Sequence, residues 1–66
     1  MPNKDMLEKQ AEYMEHQGDI FTENGNLYIG RQWYKKAIKF RRENNIPGDQ
    51  PEYMNIIDAY ILAERD

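Results

Sequence analysis

Between Ala11 and Asn44, small and aromatic residues recur at spacings that leave few folds open. Gly18, Phe21, Gly25, Gly30, Tyr34 and Ala37 fit a tight pair of antiparallel helices. Glycine at 18 and 30 lets two helix backbones approach closely, and Phe21 and Tyr34 fill the space beside them. Gly25 falls where the first helix has to stop and the chain reverse. The missing residue types point the same way. The chain has no Val, no Ser and a single Thr, Thr22, so Ile alone supplies β-branched residues in number. Sheets favour such residues, whereas the common Glu, Lys, Gln, Met, Ala and Leu favour helix. An all-α fold is expected, organised as one domain over residues 1–66.

Three helices are expected, over about 4–24, 27–43 and 50–64. In the first, Leu7, Ala11, Met14, Gly18 and Phe21 step by four and three along one face. Asn3 is placed to cap its start, and Asn24-Gly25 to end it. In the second, Asn26 is the expected N-cap, and Leu27, Gly30, Tyr34, Ala37, Ile38 and Arg41 share a face. A two-residue connection makes the two helices antiparallel neighbours. The stretch Asn44 to Pro51 is loop by composition. Asp49 and Glu52 have capping-box spacing, with Pro51 in the first turn of the third helix. That helix is expected to cover the hairpin with Tyr53, Ile56, Ile57 and Tyr60, with Ile61 and Ala63 on the same apolar face.

Charge is segregated. Twelve acidic and nine basic residues give a net charge of −3. Asp5, Glu8, Glu12, Glu15, Asp19 and Glu23 form a stripe down helix 1, where like charges at such spacing repel unless offset. It reads either as a solvated face or as a binding face. Arg31, Lys35, Lys36, Lys39, Arg41 and Arg42 make helix 2 basic. With Trp33 and Phe40 interleaved, nucleic acid enters as an alternative partner. The net acidity disfavours that alternative, and pairing against helix 1 is the plainer reading. Trp33 and Phe40, with Tyr28, are expected to form a secondary apolar surface, with Lys36 beside it.

The residues offer little for chemistry. There is no Ser or Cys, and Thr22 has no activating base at helical spacing. His16, the only His, reads as a surface side chain rather than a metal ligand. No cofactor, metal or catalytic residue is expected. The N-terminal residues lack the basic-then-apolar pattern of a signal peptide, and no apolar run approaches the ~20 residues that span a bilayer. A soluble, cytoplasmic protein without membrane contact is expected.

The spacing of Met14-x-x-Gln17-Gly18-x-x-Phe21, then Gly30-x-x-x-Tyr34-x-x-Ala37, then Tyr53-x-x-Ile56-Ile57-x-x-Tyr60 resembles the tetratricopeptide repeat. Met14 and Gln17 stand where that family carries a large aromatic and Leu. The second copy begins 39 residues after the first, not 34. Tyr34-Lys35-Lys36-Ala37-Ile38 also resembles a run in microtubule-interacting-and-transport domains, the second family considered. Both families bind peptides. The first resemblance implies that the first helix of a repeat lines a concave groove. On that register Glu12, Glu15, Asp19, Thr22 and Glu23 face the groove, joined by Met54, Asp58, Ile61 and Leu62 from helix 3. The implied ligand is a segment of another protein with basic and apolar residues, held without catalysis by an adaptor, chaperone-like holder or inhibitor. A homodimer and a small subunit of a larger assembly are further possibilities.

Overall fold

The computed structural model describes residues 4–64. Three α-helices, α1 (Lys4–Glu23), α2 (Leu27–Glu43) and α3 (Glu52–Glu64), account for most of them, and no strand occurs among them. The expected cap Asn3 lies outside the described residues.

The ends of the first two helices are built alike. At the end of α1, the Gly25 N–H donates to the Thr22 carbonyl at 3.0 Å and the Asn26 N–H to the Phe21 carbonyl at 2.8 Å. Gly25 has φ +87°. This pair of bonds with a left-handed residue between is the Schellman stop, which satisfies carbonyls the helix leaves unpaired. At the end of α2, Asn45 (φ 54°) takes the same position. There the Asn45 N–H donates to Arg42 O at 3.4 Å and the Ile46 N–H to Arg41 O at 2.8 Å. Asn tolerates the left-handed region better than other non-Gly residues. Composition marks this stretch as loop but does not reveal the left-handed stop within it.

Asn26 precedes α2, as expected, but its side chain makes no capping hydrogen bond. The expected start of α3 is corrected by two residues. The helix begins at Glu52, with the Met54 N–H donating to the Pro51 carbonyl at 3.0 Å. Pro51 thus precedes the first turn. The Gln50 side chain donates to Asn55 Oδ1 at 2.7 Å, tying the loop to the helix.

α1 and α2 pack antiparallel along their length through Ala11, Gly18, Gly30 and Ala37, all buried. A Cβ at Gly18 would run into the Tyr34 ring. One at Gly30 would meet Thr22 Oγ1 and the Gly18 carbonyl oxygen, the latter 3.0 Å away. Both glycines therefore permit a crossing that no other residue fits. Tyr34 is fully buried beside them, and Phe21 is partly buried.

α3 lies against α2 and only lightly against α1, so α2 is the middle helix. Tyr34, Met54 and Ile57 form the core cluster, flanked by Leu27, Ile38 and Ile61. At the other end, Arg31 Nε donates to Asp58 Oδ1 at 2.7 Å and the Tyr28 hydroxyl to Glu64 Oε2 at 3.2 Å. The expected cover is thereby corrected. Ile57 and, in part, Ile61 face α2, but Tyr53, Ile56 and Tyr60 are exposed (37, 60 and 56 %), and Met54 takes their place inside.

Candidate functional site

α1 presents Glu15, Asp19 and Glu23 along one flank, a turn apart. The loop and first turn of α3 bring Asp49, Pro51, Glu52 and Tyr53 opposite them. Together they line an open groove of about 490 Å3. Its floor is held by polar contacts to α2. The Tyr34 hydroxyl donates to Asp19 Oδ1 at 2.5 Å. Burial pushes the Tyr34 pKa well above its ordinary value, and the Asp19 carboxylate that accepts its proton raises it further.

Glu15 is engaged by Arg41. The guanidinium has five N–H donors. Arg41 Nε and Nη2 donate to Glu15 at 3.1 and 3.0 Å. Its Nη1 and Nη2 donate to Glu8 at 3.1 and 3.2 Å, and Nη1 also to the Pro47 carbonyl at 2.9 Å. Every donor is used, and Arg41 is only 9 % exposed. Hydrogen bonds to Glu15 and then Glu8 push its pKa further up, so it is a permanent cation. It binds α1 to the α2–α3 loop, and Gly48 packs so closely on the guanidinium that a Cβ there would meet Nη1 at 2.8 Å.

Glu12, Asp19, Glu23, Asp49 and Glu52 have no such partner. Among the described residues, ion pairs join Arg31 to Asp58 and Arg41 to Glu8 and Glu15. None involves Glu12, Asp19, Glu23, Asp49 or Glu52. The rim of the groove is therefore an uncompensated negative surface with the Tyr53 ring in it. Along α3, Ile56 and Tyr60 stand three and seven residues on from Tyr53 and continue an exposed apolar stripe.

Three of the expected groove residues, Glu15, Asp19 and Glu23, do lie together. The others are placed elsewhere. Glu12 is exposed but outside the lining. Thr22 turns into the α1–α2 crossing, where its Oγ1 is buried with no well-formed hydrogen bond among the described residues. Met54 is in the core, 8 % exposed, and Ile61 packs on it. Asp58 pairs with Arg31. Leu62 is exposed, lining a separate hollow with Tyr28, Arg31, Asp58 and Ile61. The face of α3 that meets the groove is its Tyr53 side, not its Met54 side. Asp49, Glu52 and Tyr53 were missed. Their charge and proximity to Pro51 were visible in sequence, but nothing local showed which way α3 lies.

The secondary surface is also revised. Trp33 is partly buried and meets Tyr13 of α1 edge to face, with ring centroids 6.2 Å apart. Lys36 Nζ sits 4.9 Å from the Trp33 ring centroid. Phe40 is partly buried, whereas Tyr28 belongs to the opposite, α3 side. Lys35, Lys36, Lys39 and Arg42 are exposed on α2, while Arg31 and Arg41 are engaged in the ion pairs above.

Among the described residues, no group of three or more His, Cys, Asp or Glu side chains is arranged to hold a metal ion. No helix of the described residues is long and apolar enough to cross a membrane. The chain matches no protein family, curated protein or solved structure with which it was compared.

Proposed function

We propose that this chain is a non-catalytic protein–protein interaction module, acting in the cytoplasm as a small adaptor, holder or inhibitor. It takes a basic, amphipathic segment of a partner protein into the groove between α1 and the start of α3. The observation that carries this reading is the rim. Glu23, Asp49 and Glu52 line the groove with Tyr53, and among the described residues none of the three is in an ion pair. Lys or Arg from a partner would relieve that repulsion and steer the encounter. Apolar residues of the same segment would cover Tyr53, Ile56 and Tyr60 and supply most of the affinity. The reading agrees with a tetratricopeptide-like hairpin, in which the first helix faces the ligand. Nucleic acid on α2 is the weaker alternative, because two of that helix's basic side chains are engaged within the chain.

A helical peptide of alternating Lys and Leu faces is a suitable probe, with a Glu/Leu peptide of the same length as control. The basic peptide should bind, with affinity falling as salt rises. Glu23→Gln with Glu52→Gln should weaken it by about tenfold or more without changing the melting temperature much, since both side chains are exposed. Glu43→Gln with Glu64→Gln removes the same charge elsewhere and should leave binding nearly intact. Equal loss from both pairs, or equal binding of the two peptides, rules the groove out.

A further inference from the structure

One half of α1 carries no charge. The seven-residue series Met6–Tyr13–Ile20 and Leu7–Met14–Phe21, with Gln10 and Gln17 between them, fill it. Every Asp, Glu, Lys and His of the helix lies on the other half. Met6, Tyr13 and Ile20 are 69, 57 and 39 % exposed. The Tyr13–Trp33 contact continues this surface onto α2, where Ile29 and Phe40 lie four residues before and seven after Trp33. Trp33 and Phe40 sit roughly 120–160° around α2 from Leu27 and Ile38, which pack on the α3 core, at 3.6 residues per turn. The hairpin thus has an apolar face that α3 does not cover, and the acidic rim lies on another side.

We infer that this apolar face is a self-association surface, and that two copies of the chain pack through it about a two-fold axis. The area supports a second copy. The accessible surface is 5201 Å2 for a chain of 8.0 kDa. A compact monomer of that mass exposes about 4450 Å2, so the chain as a whole exposes an excess comparable to the ~800 Å2 that each partner buries in a standard interface. The chemistry supports it as well. In a two-fold interface each patch meets itself, so a charged patch would repel its copy; the α1 half brings no charge, and Lys36, whose Nζ lies over the Trp33 ring, is a cation at the α2 edge. Gln10 and Gln17 each carry both donors and acceptors, so either can bond its own counterpart. Tyr, Trp, Phe and Met are the side chains that the centres of such interfaces favour. The enclosed core is small: its buried hydrophobics are Tyr34, Met54, Ile57 and two alanines. Chains of this size draw stability from association when the core is slight. A lipid surface fits poorly, because the charged half of α1 is mainly acidic where interfacial helices are basic.

The inference is independent of the groove, whose peptide binding is measured separately. Its test is sedimentation equilibrium of the full chain from about 1 to 500 μM, with melts over the same range. The wild type should move from monomer to dimer, and its Tm should rise with concentration. Fluorescence of Trp33, the only Trp, should shift to the blue in step. Tyr13→Glu with Ile20→Glu would bury four unpaired carboxylates per dimer and should raise the dissociation constant about a hundredfold or more. Its Tm should become independent of concentration, whether or not the isolated monomer stays fully folded. Ile56→Glu, on the exposed side of α3, should leave the dimer intact. A wild type that is monomeric with a constant Tm throughout overturns the inference. So does a dimer that survives Tyr13→Glu with Ile20→Glu, or one that is lost only in Ile56→Glu.

Discussion

Arg41 is the residue on which most of the polar architecture converges. It sits on the buried face of α2, where an apolar side chain would be the simpler choice, and it links α1 to a loop beyond α2. Its position on that face is legible from the four- and three-residue spacing. Its partners are not, since Glu8 and Glu15 lie 33 and 26 residues away and any of six acids on α1 could have served. Arg41→Met leaves two neighbouring carboxylates without a cation. It should cost about 2–3 kcal/mol, less than a fully buried pair because the Glu8 side chain is 40 % exposed. Arg41→Lys should recover only part of this, because one ammonium cannot span two carboxylates and a carbonyl. A Lys variant that melts with the wild type would contradict the five-bond geometry. Tyr34 gives a second test. Its pKa is raised in the folded chain, so the protonated phenol is favoured by folding. The associated stability is fully present below the unfolded pKa of about 10 and is lost as pH climbs above it. Denaturant midpoints measured from pH 9 to 12 should fall more steeply for the wild type than for Tyr34→Phe. Parallel curves would show that the hydroxyl is not held as described.

At the scale of elements, α1 and α2 are the more legible because their apolar residues keep to narrow stripes broken by charge. Gly18, Gly30 and Ala37 then mark where the stripes meet. The crossing can be tested with the smallest side chain. Gly30→Ala raises helix propensity by about 1 kcal/mol, so on an open surface it would stabilise the chain. Here the new Cβ meets the Gly18 carbonyl oxygen and Thr22, and overpacking of about 1–3 kcal/mol should outweigh the gain. A Gly30→Ala protein that melts higher than the wild type would mean the helices cross elsewhere. α3 was misread for a physical reason. Tyr53, Met54, Ile56, Ile57, Tyr60, Ile61 and Leu62 leave it apolar on nearly every side. Periodicity then cannot say which side is inward, and the choice falls to tertiary packing on Leu27, Tyr34 and Ile38. Of the groove, the α1 wall was therefore readable and the α3 wall was not. The Asn45 turn was hidden for a related reason, since Asn signals a left-handed stop less strongly than Gly.

The whole molecule is thin and elongated, with principal extents of 48 × 20 × 14 Å. Each side carries a different chemistry. An acidic groove with an aromatic wall lies between α1 and α3, exposed lysines run along the outer face of α2, and an apolar, aromatic face flanks the hairpin. That separation keeps the proposed peptide groove and the proposed self-association face apart on a chain of 66 residues. The acidic stripe of α1 is likewise divided. Glu8, Glu15 and Asp19 hold the fold together, and Glu23 faces outward with Asp49 and Glu52. The most direct measurement is a map of amide chemical-shift changes on the 15N-labelled full chain as the Lys/Leu peptide is added. The shifts should concentrate on residues 15–23 and 49–53 and continue through Ile56 to Tyr60. Shifts confined to residues 35–42, or spread along the Met6, Tyr13 and Trp33 face, would contradict binding in the acidic groove.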